Sequence, residues 1–125
     1  MTESGPEITH CGRTITGNIV GIDIQWSGRL DPQQSVVWSM FVSSEDGADE
    51  VHLGHLRAGD SIEQFVDDRS SGRRQSVEPD ADVSDAEIVI RFPANVVGVA
   101  IEWPVWKAVI AVDGQDIATR VVPVG

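Results

Sequence analysis

Apolar and polar side chains alternate with a period of two through most of this chain, and the 3.6-residue period of an amphipathic helix is almost absent. An extended strand turns successive side chains to opposite faces, so each alternating run commits to one buried face and one wetter face. Val20, Ile22, Ile24 and Trp26 alternate with Gly21, Asp23 and Gln25. Val36, Trp38, Met40 and Val42 alternate with Val37, Ser39, Phe41 and Ser43. Val51, Leu53 and His55 share a side opposite His52 and Gly54, and Ile88, Ile90 and Phe92 share one opposite Glu87, Val89 and Arg91. Near the end, Trp106, Ala108, Ile110 and Val112 oppose Val105, Lys107, Val109 and Ala111. Turn chemistry separates the runs at Ser27-Gly28, Asp31-Pro32, Ala58-Gly59-Asp60 and Asp113-Gly114.

Three further segments complete the pattern. Ile62, Phe65 and Val66 do not share one alternating face, which predicts a bulge or an edge position. A short strand is expected around Arg74 to Val77, inside the polar stretch from Asp67 to Asp85 that should be the most mobile part. The last strand is expected from about Asp116 to Val122, stopped by Pro123. Between them, 93–98 reads as one helical turn, with proline at its start and Gly98 at its end. About eight strands at this spacing predict an all-β fold, a single antiparallel two-sheet β-sandwich of jelly-roll or immunoglobulin-like type. Residues 1–12 are expected to be a flexible N-terminal end and 13–125 the sandwich domain.

Charge and cysteine content narrow the function classes. Nine Lys and Arg face 20 Asp and Glu in 125 residues, a net charge of −11, which disfavours nucleic acid and anionic membrane as partners. Cys11 is the only cysteine, so no intramolecular disulfide can form. The segment Met1 to Glu7 has neither the basic nor the apolar region of a signal peptide, and no apolar run approaches a membrane span. A cytoplasmic location is the resulting expectation.

The chain holds no G-x-S-x-G, no P-loop and no G-x-G-x-x-G, and His10-Cys11 are sequence neighbours, which seldom form a nucleophile and its base. No catalytic residue and no cofactor is therefore expected. His52 and His55 lie three apart, which on a strand sends them to opposite faces and away from a shared ion. Glu50 and His52 share a face as a polar pair. Asp80, Asp82 and Asp85 begin like a calcium loop, but the EF-hand pattern fails, with Asp85 at position six and Arg91 at position twelve. No metal site is expected, and that loop is the nearest approach to one.

Contact residues are better supported. Trp26, Trp38 and Trp106 fall on apolar strand faces and should fill the core, whereas Trp103, held extended by Pro104 and beside Glu102, is expected on a contact surface. Phe41, with Val37, Val105 and Val109, lies on a mixed face that one core cannot absorb. Arg73 and Arg74, with Arg69, form the one basic cluster, suited to an anion contact or to neutralising Asp67 and Asp68.

The run Ile88 to Pro93, then Gly98, then Trp103-Pro104-Val105-Trp106-Lys107-Ala108, then Asp113 and Pro123, resembles the closing segment of small bacterial β-sandwich modules. These are the carbohydrate-binding-module and DOMON-like jelly rolls, and the likeness covers the C-terminal third. The resemblance implies a jelly-roll sandwich and ligand binding, carbohydrate included. The leading expectation is a non-catalytic binding or protein-interaction module, with self-association among its contacts. A lectin-like small-ligand module and an acidic inhibitor or immunity-type protein are the alternatives.

Overall fold

The computed structural model describes residues 6–30 and 33–122. The expected turn at Asp31-Pro32, the stop at Pro123 and the first five residues of the expected flexible end lie outside them. Among the described residues ten strands form: Glu7–Thr16 (β1), Ile19–Ser27 (β2), Val36–Ser43 (β3), Glu50–Ala58 (β4), Ser61–Asp68 (β5), Arg73–Val77 (β6), Ala81–Val83 (β7), Glu87–Pro93 (β8), Val105–Val112 (β9) and Gln115–Val121 (β10). They pair antiparallel into a four-stranded sheet, β1-β2-β8-β7, and a six-stranded sheet, β10-β9-β3-β4-β5-β6. The all-β sandwich expected from the alternation is the observed architecture.

The inward rows are those the period of two selects. Val20, Ile22, Ile24 and Trp26 of β2, Ile88, Ile90 and Phe92 of β8, Trp38, Met40 and Val42 of β3, and Trp106, Ala108 and Ile110 of β9 are all buried in one cluster. Burying such rows on both sheets supplies the favourable free energy that offsets ordering the chain. Trp26, Trp38 and Trp106 are core residues, as expected.

Strand number is corrected from about eight to ten, and the two additions have separate causes. β1 is hidden in the sequence by a register shift between Ile8 and His10: the extra residue lets both Ile8 and Cys11 turn inward, which breaks the alternation. Residues 7–12, placed in the expected N-terminal end, are thus part of a paired strand. β7 has three residues, too few to show a period, and is held by Ala81–Val83 pairing with Ile90, Val89 and Ile88.

β5 needs no bulge, since it pairs with β4 and β6 in continuous register. Val66 belongs to the core, while Phe65 faces outward across from Gly54. The helical turn is present as Ala94–Val97 (α1), capped by Pro93 and by Gly98 at φ 68°, and it continues as a 3-10 turn over Gly98–Glu102. Glycine is required at position 98, because that backbone conformation disfavours a side chain.

The sandwich is also tied across its faces. Cys11 Sγ donates to the Arg120 carbonyl at 3.6 Å, linking β1 to β10, and burial pushes the thiol above its ordinary value. Among the described residues no helix is long and apolar enough to cross a membrane.

Candidate functional site

The expected contact residues do not converge. Register places Trp103 and Glu102 at the end of the sandwich where β3 finishes and β9 begins. Trp103 is half-buried and packs against the core, and its carbonyl accepts the Trp106 Nε1–H at 2.8 Å. Glu102 is exposed beside it. Arg73 sits on the opposite face of β6 from Arg74, because successive strand residues alternate. Asp80 and Asp82 both bind the Arg91 guanidinium, so their carboxylates are engaged with a fixed cation. Asp85 lies apart, at the other end of the sheet pair. Among the described residues no group of three or more His, Cys, Asp or Glu is placed to hold a metal ion.

Two of the expected residues, Phe41 and Arg74, are linked through His52 and Phe65 on the outer face of the six-stranded sheet. Phe41 stacks on His52 with ring centroids 4.2 Å apart, His52 meets the edge of Phe65 at 5.1 Å, and the Arg74 guanidinium lies 3.7 Å over Phe65. Lys107 Nζ sits 5.6 Å from the Phe41 ring on the other side. The register explains the order, since Lys107, Phe41, His52, Asp67 and Arg74 are successive cross-strand partners. Arg74 also pairs with Glu63 at 3.2 Å. Among the described residues its ion pair is with Glu63.

His52 and His55 point to opposite faces, as their spacing predicts. His52 hydrogen-bonds Ser39 Oγ at 2.7 Å, which replaces the expected pairing with Glu50. A serine and histidine at this distance have the form of a nucleophile and base. Ser39, however, is only 4% exposed, and both edges of its strand are paired, so the main-chain N–H groups of that strand are committed to the sheet. The geometry is that of a packed hydrogen bond.

Burial pushes the His52 imidazole down to about 4; Asp67 and Asp116 oppose this, and Arg69 and Arg74 add to it. The folded ring thus stays neutral where the unfolded chain, titrating near 6.5, takes up a proton. Stability should fall as pH drops from about 6.5 to 4 and then lose nothing more to this group. The loss is about 2 kcal/mol after discounting for solvent at the ring's rim. Urea midpoints measured from pH 7 to pH 4 should show the decline in the native chain and a shallower one in His52→Gln. Equal slopes would contradict the assignment.

A more enclosed feature lies at the end of the sandwich opposite Trp103. Where β2 and β4 finish and β3 begins, the sheets part around a cleft of about 890 Å³. Its inner wall is made by Trp26 and Trp38, with ring centroids 5.8 Å apart. Leu30, Val83 and Ala86 supply apolar sides, and Arg57 lies with its guanidinium carbon 5.5 Å from the Trp38 ring. The turn after β7 is locked onto this end by the Trp26 main-chain N–H, which donates to the Ala86 carbonyl at 2.9 Å.

Trp26 is 4% and Trp38 1% exposed, and neither indole N–H has a hydrogen-bond partner among the described residues. Indole nitrogen only donates, so each leaves a buried polar group unpaired at a cost of about 1–3 kcal/mol. Trp106 shows the contrast, since its indole is satisfied by Trp103. The alternation in β2 and β3 assigns Trp26 and Trp38 to the core, which is right, and a core assignment by itself hides any part in binding. The signal in the sequence is that both stand at strand ends facing the same turn cluster.

Comparison of the chain with protein-family models, with curated proteins and with solved structures finds no match to any of the three.

Proposed function

We propose that this protein is a non-catalytic binding module whose ligand is a small molecule seated in the end cleft between the two sheets. The observation that carries this reading is the pair of unpartnered, buried indole donors in the cleft wall. Buried polar groups are nearly always satisfied, and an exception calls for a partner that the chain itself does not supply. The cleft also combines aromatic and apolar walls with a few polar groups, the usual make-up of a ligand pocket. Its volume suits a ligand of modest size.

The outer-face cluster of Phe41, His52 and Phe65 is read as packing that closes an otherwise exposed sheet face. A thermal-shift screen of small molecules tests the function. Compounds that raise the Tm of the native chain should lose that effect in Ala86→Trp, a substitution at an exposed cleft-lining position that fills the space without replacing a core residue. A set of stabilising compounds unaffected by Ala86→Trp would place binding elsewhere and defeat the reading.

A further inference from the structure

The two outer faces of the sandwich differ in kind. On the four-stranded sheet the outward side chains are mostly polar, among them Thr14, Asp23, Gln25, Glu87 and Arg91, as a wetted sheet face requires. The six-stranded sheet departs from that rule. On its outer face Val37, Phe41, Leu56 and Ala111 are half-buried and Val105 is exposed. The packed rings of Phe41, His52 and Phe65 level the middle of this face without making it polar. We infer that this face is a homodimer interface, on which a second copy of the chain lays its own six-stranded sheet about a twofold axis running along the strands between β3 and β4.

The register of the sheet argues for this occupant. In the order β10-β9-β3-β4-β5-β6 the midline falls between β3 and β4. A twofold axis along that midline turns the second sheet over, so β3 faces β4 of the second copy and β9 faces its β5, each row keeping its level. Phe41 then opposes His52, Val37 opposes Leu56, and Lys107 opposes Asp67. Among the described residues neither Lys107 nor Asp67 makes an ion pair, so each brings an unused charge, and the symmetry forms the pairing twice. An axis across the strands, through the row of Ser39 and Gly54, would instead set Asp67 against Glu63 of the second copy, two like charges.

Packed sheets cross at about 30°. Lys107 lies one and a half strand spacings from the axis, about 7 Å, so that angle displaces it by about 4 Å along the strand, within reach of a lysine stem. Six strands about 4.8 Å apart and the span 37–43 at about 3.4 Å per residue make a face of roughly 29 by 20 Å. That is about 600 Å² from each copy, and about 1,200 Å² in total is the lower end of a stable interface. The charge of −11 on each copy acts over a longer range, and salt screens it beyond about 8 Å. None of these outer-face residues lines the end cleft, so the dimer stands independently of the binding role proposed above.

Sedimentation velocity over about 5–200 µM protein at about 0.15 M salt tests the inference. The mass should rise with concentration to twice that of one chain. Lys107→Glu sets like charges at both pairings and should weaken the dimer at least tenfold, as should Asp67→Lys. An equimolar mixture of the two variants should form a heterodimer of near-native strength, because each position 107 then meets an opposite charge at position 67. Lys107 is also the only lysine, so a carbodiimide should trap the native dimer through a Lys107–Asp67 amide, identified by peptide mass spectrometry. Within one chain these residues stand three strands apart, about 14 Å, which restricts that amide to a pair of copies. Should Asp67→Lys fail to fold, the amide and Lys107→Glu still decide the matter. A monomer throughout would overturn the second copy as occupant and leave the face to a partner of another sequence. A dimer unchanged by Lys107→Glu, a mixture no tighter than either variant alone, or a dimer trapped from Lys107 to carboxylates outside β5 would overturn the interface.

Discussion

Gln64→Leu should destabilise the protein by about 3–5 kcal/mol and lower its Tm by about 10–20 °C. Gln64 is 1% exposed, and its amide is used on three sides. Its Oε1 accepts from His55 Nδ1 at 2.8 Å and from the Asp80 main-chain N–H at 3.0 Å, while its Nε2 donates to the Arg91 carbonyl at 2.7 Å. These bonds join β4, β5, the crossing from β6 to β7, and β8, so one side chain fastens the two sheets to each other. They also fix the His55 tautomer: the amide oxygen only accepts, so Nδ1 carries the proton.

Leucine keeps the volume and removes every bond, leaving three polar groups without partners at about 1–3 kcal/mol each. Part of that is recovered by water at Asp80, which is exposed. Gln64→Glu keeps both acceptor contacts but sets a carboxylate oxygen against the Arg91 carbonyl in a buried site, so at pH 7 its cost should be at least that of Leu. Chemical denaturation of the three proteins decides it. A leucine variant within about 1 kcal/mol of native would show that the strut contributes little.

Gly54→Ala is the second large effect, at about 2–3 kcal/mol. A β-carbon on Gly54 would stand 2.4 Å from Phe65 Cζ and 2.8 Å from both Cε atoms, well inside contact distance. The ring lies across the bare backbone of its cross-strand partner, so glycine is needed there for close approach and not for its turn-forming freedom. Displacing the ring also removes the edge contact with His52 and the seat under Arg74. The His52 imidazole should then rise from about 4 toward its ordinary 6.5, visible in its proton resonances.

Phe65→Ala provides the control. If the clash is the cause, Gly54→Ala should cost much less in the Phe65→Ala background, with a coupling of at least about 1 kcal/mol. Additive costs would mean that alanine harms the strand for another reason.

These two sites show where sequence reasoning reaches and where it stops. The inward rows of β2, β3, β8 and β9 are legible because a half-buried strand imposes its period on the residues it can use. Phe65 looks like a flaw in such a row, since an aromatic on an outer face is indistinguishable from a register error until Gly54 is seen beneath it. β1 escapes notice for the complementary reason: a register shift puts Ile8 and Cys11 on one side at odd spacing. Asp80, Asp82 and Asp85 look alike in sequence, yet Arg91 claims the first two and the third belongs to the cleft.

The candidate site is the least legible part. Trp26 and Trp38 are recognisable as core, but an unpaired indole N–H is a property of what surrounds the ring, and that depends on several chain segments meeting. Trp103 attracts notice through its neighbours Glu102 and Pro104. Its half-buried ring packs partly against the core, with its carbonyl holding Trp106.

The side-chain ¹H–¹⁵N spectrum has one indole signal for each of the four tryptophans, and it locates a ligand whatever that ligand's chemistry. On adding a compound that raises the Tm, the Trp26 and Trp38 signals should move together while those of Trp103 and Trp106 stay in place. Movement of the Trp103 signal with Trp26 and Trp38 unchanged would put the binding surface at the other end of the sandwich and contradict the account.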